Sequence, residues 1–332
     1  GGGRKGTPLA KPPAETPIIE MITAGRTTTA IATIPAATGS DGKTTATITQ
    51  ALISNAVNQA VSEARKQGDG TKAAVRINVE TEAGANTVKA AISEASLTLM
   101  AEGGIEKFTV SNPIASITFS NKVLSAIFGE AAGDVKISAS RVDSLTLSDE
   151  LKQMVGDRPV FDFSVRSADK TISQFGENVS VSVPYTPKAG EDTNAIVIYF
   201  ISAEGRPEIV SNCAYDPKTE TITFKTDHFT KYAVGYNKVT FNDVAANAWY
   251  GEAVCFAAAR GITKGTGDGN FHPEGKLTRG QLLVMVMRAY GISPDENPKD
   301  NFSDAGNTYY TGYLATAKRL DISGGVGNNM YA

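Results

Sequence analysis

The C-terminal part of this chain repeats itself, and an internal repeat limits the available folds more than any composition does. Phe241-Asn242-Asp243 returns as Phe302-Ser303-Asp304. After a one-residue gap, Tyr250, Ile262, Gly265, Gly267 and Phe271 return sixty places later as Tyr310, Ile322, Gly325, Gly327 and Tyr331. Each copy therefore encodes one supersecondary unit, too small to bury a core alone and obliged to stack on its copy or on a neighbour. In the first copy Asp243 caps or precedes a helix whose Ala253, Val254, Ala257 and Ala258 make a small-residue face, and Gly261 ends it as a C′ glycine. The loop Gly265-Thr266-Gly267-Asp268-Gly269 reverses the chain before Leu277-Thr278-Arg279 opens a second helix, with Leu282, Leu283, Val286 and Met287 as its apolar stripe.

Upstream the pattern is different. Residues 1–16 are Gly-rich and then Pro-rich, which reads as a linker. The start Gly1-Gly2-Gly3-Arg4-Lys5-Gly6 has no apolar h-region, so any signal peptide is expected outside this sequence. Ile18–Ile34 and Thr44–Ile48 are Thr/Ala/Ile-rich strand candidates. Ile53, Ala56, Val57, Ala60, Val61 and Ala64 recur at helical spacing behind Thr49, a plausible N-cap, and Gly68-Asp69-Gly70 stops that helix. Ala74–Glu80 alternates as a half-buried strand. Further strands are expected at Lys107–Val110, Ser116–Phe119, Val135–Val142, Val160–Arg166, Val179–Val183, Ala195–Ser202, Thr221–Lys225 and Tyr232–Tyr236, and short helices at Lys89–Met100, Lys122–Phe128 and Asp149–Val155. So many short strands imply a sandwich or barrel rather than a βαβ sheet.

The length of 332 residues fits about two domains, and the net charge of −3 argues against a sequence-independent nucleic-acid binder. Cys213 and Cys255 are the whole cysteine content and read as small apolar side chains rather than a disulfide framework. No apolar run is long enough to span a membrane. There is no Cys/His cluster for a transition metal, no cofactor motif, and Asp268 reads as a solvated turn rather than a Ca²⁺ ligand.

The run from Phe241 to Tyr290, with Trp249-Tyr250, Gly261-Ile262-Thr263-Lys264-Gly265, Gly269-Asn270-Phe271-His272-Pro273 and Leu277-Thr278-Arg279-Gly280-Gln281, resembles an S-layer-homology (SLH) repeat. The family's usual Ile-Thr-Arg-Ala-Glu is changed here at Leu277, Gly280 and Gln281. The resemblance implies non-covalent attachment of a secreted surface protein to pyruvylated secondary cell-wall polysaccharide, commonly through three repeats. It further implies that Arg279 pairs with the ketal carboxylate, while Trp249, Asp243 and the loop Gly265, Thr266 and Gly267 line the sugar site. A planar guanidinium suits that task, because it offers a carboxylate two parallel charge-assisted hydrogen bonds. For Trp249 a place in the core is the stronger expectation. The second copy reaches Tyr331-Ala332 without a counterpart of Arg279, so weak polymer binding is expected.

Residues from about Val135 to Tyr236 resemble the β module that precedes such repeats in Gram-positive (Firmicutes) surface proteins. Cys213-Ala214-Tyr215-Asp216 with His228-Phe229-Thr230 is also similar to the self-cleaving site of GAIN-type domains. There Thr230 would attack the Phe229 carbonyl with His228 as base. Ordinary strand residues are the stronger expectation.

The sequence thus predicts an α+β, mainly β chain: linker 1–16, a sandwich-like module 17–237 with a subdomain split near 105–135, a first SLH repeat 238–300 and a truncated second, 301–332. The expected role is a non-catalytic cell-surface anchor, with the β domain as spacer and further SLH repeats as partners. Self-cleavage, or a β domain acting as an adhesin or carbohydrate-binding module, are the alternatives.

Overall fold

A computed structural model describes residues 17–331, so the expected linker lies outside the described residues. The chain runs β1 (Ile19–Ala24), β2 (Thr27–Ala36), β3 (Lys43–Ile48), α1 (Gln50–Lys66), β4 (Lys72–Thr81), β5 (Thr87–Ile92), α2 (Glu94–Glu102), β6 (Ile105–Ser111), β7 (Ser116–Ser120), α3 (Asn121–Glu130) and β8 (Val135–Arg141). It continues with α4 (Asp149–Val155), β9 (Val160–Ser167), β10 (Lys170–Ile172), β11 (Gln174–Pro184), β12 (Ile196–Ile201), β13 (Pro207–Ile209), β14 (Ala214–Asp216), β15 (Thr221–His228) and β16 (Lys231–Tyr236). The tail adds α5 (Gly251–Ala259), α6 (Arg279–Ala289) and α7 (Thr311–Arg319).

The strands form two large sheets, in the orders β1-β2-β4-β6-β7-β11-β15-β14 and β13-β12-β16-β9-β8-β5-β3, with β10 on β9. Neither is a closed barrel. Both are mixed, because β2, β4 and β6 run parallel, as do β3 and β5. Between β2 and β4 the chain visits β3 in the other sheet and then α1, so crossovers of the kind the strand pattern argued against do occur here. α1 begins where expected: Thr49 accepts the Leu52 amide, and Leu52, Ile53, Ala56, Val57, Ala60 and Ala64 are buried. That stripe packs on β2 and β4.

The expected helix Lys89–Met100 is half wrong. Thr87–Ile92 is a strand with Val88, Ala90 and Ile92 inward, held between β3 and β8, and α2 starts only after Ser93 accepts the Ser96 amide. Pairing on both edges outweighs the helix preference of Lys-Ala-Ala.

β15 belongs to the first sheet and β16 to the second, so Phe229-Thr230 is where the chain crosses between them. Phe229 is buried there among Phe119, Phe163 and Phe175, with ring centroids 6.4, 5.8 and 4.8 Å away.

The tail does not hang free of the sheets. Arg260, one residue past α5, is 1% exposed. Its Nε donates to the Cys213 carbonyl at 2.6 Å, Nη1 to that of Asn194 at 2.7 Å, and Nη2 to that of Ile196 at 2.9 Å. The guanidinium also lies 3.6 Å from the Phe256 ring centroid. One helical side chain thus satisfies three backbone acceptors of the β domain, as buried carbonyls require. Asn237 Nδ2 donates to the Ala259 carbonyl at 2.7 Å and Ser211 Oγ to that of Arg288 at 2.6 Å, adding two further ties. Both cysteines are free thiols beside this junction, Cys213 buried and Cys255 half-buried.

Candidate functional site

The repeat seen in sequence is repeated atom for atom in the loops. Rings pair at 5.5 Å in both copies, Phe241 with Phe271 and Phe302 with Tyr331. The Asn242 amide donates to the Gly269 carbonyl at 2.8 Å, as Ser303 does to Asn329 at 2.8 Å. Gly265 and Gly325 both have φ +71°, and a Cβ on either would overlap a carbonyl oxygen, of Asn270 or Met330, and the neighbouring Phe ring. Those two glycines are therefore obligatory. Gly269 is replaced by Asn329, which takes the same left-handed turn at φ +57°.

Asp243 precedes the first tail helix without capping it. α5 starts at Gly251, and the two Asp243 oxygens accept the amides of Phe271 and His272, each at 2.7 Å. The Phe271 amide, above all, holds its carboxyl below the usual range. Asp304 accepts the Tyr331 amide in the same way, at 2.6 Å. This carboxylate closes the glycine loop rather than facing outward. In that loop Thr266 is exposed, its Oγ1 2.6 Å from His272 Nδ1.

Trp249 overturns the expectation of a core residue. It is 93% exposed, set edge-on to Tyr250 with centroids 5.5 Å apart. Tyr309 and Tyr310 reproduce the pair at 5.2 Å. The stripe expected on α6 is also shifted: Gly280, Val284 and Met287 are buried, while Leu282 and Val286 are exposed. Val284 and Met287 pack with Tyr313 and Ala317, so α7 sets which face turns inward.

Arg279 opens α6 directly after Thr278, whose Oγ1 accepts the Gln281 amide at 3.2 Å while Gln281 Oε1 accepts the Thr278 amide at 2.9 Å. Thr278 and Gln281 thus form a capping box at the start of α6. Gly280 is buried, and a Cβ there would press on the Tyr310 ring at 3.3 Å. The Arg279 guanidinium reaches across to the second repeat. It lies 4.4 Å from the Tyr331 ring centroid, donates to the Tyr331 carbonyl, and meets Ser323 Oγ at 3.5 Å. Tyr331 Oη returns a bond to the Arg279 carbonyl at 3.2 Å. Arg279 is exposed and makes no ion pair with a carboxylate among the described residues. The repeat marks Tyr331 as the partner of Phe271 but gives no sign that Tyr331 and Ser323 meet Arg279.

The structure does not gather the expected residues into one pocket: Arg279 sits at the seam between repeats, whereas Asp243 and Gly265–Gly267 build the first loop. At the crossover, Thr230 Oγ1 donates to the Ile201 carbonyl at 3.3 Å, and His228 Nδ1 lies 2.8 Å from Asp227 Oδ1. Hydroxyl and imidazole are thus each turned to another partner, and Phe229 is the residue that fills the core.

The S-layer homology domain family matches residues 240–283, the stretch that holds the first glycine loop, Arg279 and the capping box. Residues 240–283 are an S-layer homology domain. This bears out the resemblance of the tail to SLH-domain cell-surface proteins. The chain is 30% identical over 167 residues to an amylopullulanase of Thermoanaerobacterium thermosulfurigenes, covering 48% of this chain and 9% of that protein. It is 29% identical over 89 residues to the S-layer protein sap of Bacillus anthracis, covering 27% of the chain and 11% of that protein. A cell surface protein of Thermoanaerobacter kivui is 32% identical over 109 residues, 31% of this chain and 14% of that protein. The chain thus spans only a small part of the curated relatives it matches. No helix among the described residues is long and apolar enough to cross a membrane.

Proposed function

We propose that the SLH tail holds this chain at the cell surface by binding secondary cell-wall polysaccharide at the seam between its repeats, with Arg279 taking the acidic group of a pyruvylated sugar. The observation that carries this reading is an exposed arginine at a helix start, without a carboxylate partner among the described residues, propped by Tyr331 from the next repeat. The helix start adds partial positive charge, and the aromatic face holds the guanidinium plane ready for a two-point bond. An incoming carboxylate would take the place of the neutral Tyr331 carbonyl. The β domain serves as a non-catalytic spacer, rigidly joined through Arg260. Similarity to an amylopullulanase reaches only 9% of that enzyme and carries no catalytic role to this chain.

Co-sedimentation with purified walls, before and after mild acid removal of pyruvyl groups, tests the reading. Loss of charged hydrogen bonds of ~1.5–3 kcal/mol predicts that Arg279→Ala weakens binding roughly 10- to 100-fold, with Arg279→Lys in between. Wild-type binding by an Arg279→Ala chain would reject it.

A further inference from the structure

The first sheet turns its apolar side chains inward, Phe108 and Val110 from β6, Ile117 and Phe119 from β7, Val179 and Val181 from β11. Its other face is built from hydroxyls in register. Asn78 stands opposite Ser111, Ser111 opposite Ser116, Ser116 opposite Ser182, and Ser182 opposite Thr223, one row across five strands. Two residues along, Arg76, Thr109, Thr118, Ser180 and Lys225 form a second row. Hydroxyls touch along the rows, Ser111 with Ser116 at 2.6 Å, Thr109 with Thr118 at 2.9 Å, and Thr223 with Ser182 at 3.1 Å. Neither row contains a carboxylate, an aromatic ring or a large aliphatic side chain.

With strands ~4.8 Å apart, Arg76 and Lys225 stand about 19 Å from each other at the two ends of the second row. Neither forms an ion pair among the described residues, and Lys107 on β6 is a third such cation, opposite Ala74. Lys225 also lines a cleft of ≈ 340 Å³ between the β domain and the tail, where Arg288, Phe200 and Tyr313 stand beside the two carboxylates Glu208 and Asp227. The hydroxyl floor therefore runs from open sheet into a walled cleft against the tail.

We propose that this floor and cleft are a second binding surface, separate from Arg279, for an acidic polysaccharide. A flat field of hydroxyls lacks the apolar centre on which protein partners dock. Each paired set of hydroxyls still has an O–H and lone pairs to offer a polyol, along a row whose strand spacing is close to the length of one sugar ring. Cations at both ends select a polymer that carries negative charge.

The test uses the full chain and two probes, hexagalacturonate and the neutral cellohexaose, titrated calorimetrically at low salt. Hexagalacturonate is expected to bind at least tenfold more tightly than cellohexaose and to weaken as salt is raised. Arg76→Gln with Lys225→Gln should cost at least tenfold. Thr118→Val with Thr223→Val keeps β-branched shape in the sheet and should also weaken binding, with denaturation midpoints confirming that both variants fold. Arg279→Ala should leave this binding unchanged even if it abolishes wall attachment, which keeps the two sites distinguishable. The proposal is overturned if the wild-type chain binds neither probe, if the floor variants bind as the wild type does, or if only Arg279→Ala removes binding. A self-associating chain whose dimer is broken by the floor variants would equally overturn it, by giving the face to a second copy.

Discussion

Replacing Arg260 by Met tests the junction between sheets and tail. The change keeps an unbranched stem of similar length but removes every donor, leaving the carbonyls of Cys213, Asn194 and Ile196 in the interior without the guanidinium they now share. Each stranded acceptor costs about 1–3 kcal/mol. Against this, the variant no longer has to desolvate a charge, the same burial that pulls the Arg260 guanidinium below its ordinary pKa. Three stranded acceptors, offset in part by that relief, give a net expected loss of about 3–5 kcal/mol. Arg260→Lys should fall between, since a point-like ammonium cannot reach three carbonyls in one plane. Urea titration by far-UV circular dichroism gives the stability change, with hydrogen exchange of the α5 amides showing whether the tail separates first. Fluorescence of Trp249 would report little, because that ring is already exposed. An Arg260→Met chain within about 1 kcal/mol of the wild type, with α5 protection intact, would refute the reasoning.

Three further outcomes follow from the geometry. Phe229→Ala removes the ring that fills the crossover among Phe119, Phe163 and Phe175 and should cost about 3–5 kcal/mol in a denaturant titration, while the chain stays one full-length band on a denaturing gel. Gly265→Ala forces a side chain into a positive-φ position against the Asn270 carbonyl and the Phe241 ring, so the tail should lose its cooperative melting transition, whereas Gly267→Ala, with open space around it, should be milder. Asp243 has a depressed folded pKa, so its contribution is full above the unfolded value of ~3.9 and is lost as pH falls through the lower folded value. The melting temperature of the wild-type tail should drop in that acidic window and that of Asp243→Asn should be flatter; parallel pH profiles would count against the loop-closing role.

Much of this was readable in the residues because local signals and tertiary environment agree. α1 announced itself through Thr49 and a helical stripe, and the tail through two glycines that nothing else could replace. Signals failed where a neighbour in space decides. Ala90 and Ile92 look helical until β3 and β8 pair on either side, and Leu282 looks buried until α7 draws the opposite face of α6 inward. Trp249 was misjudged because a large ring is usually covered, and here only Tyr250 flanks it. Arg260 carried no warning at all: after three alanines and before a C′ glycine it reads as an ordinary cation at a helix end. Arg279 stands out in the sequence as an individual residue, whereas Tyr331 and Ser323, which it meets, come from the next repeat, and only folding brings the three together.

β16 enters the tail directly, and in its sheet it lies between β12 and β9, bonded on both sides. Under the anchoring proposed above, shear at the cell surface would pull on the tail. Here that tension would pass into the middle of a sheet, where many bonds share the load, and not into a marginal strand that could peel away one bond at a time. The grip at Arg260 sits just beyond that strand, so the hinge where a tethered domain would first give way is already fastened shut.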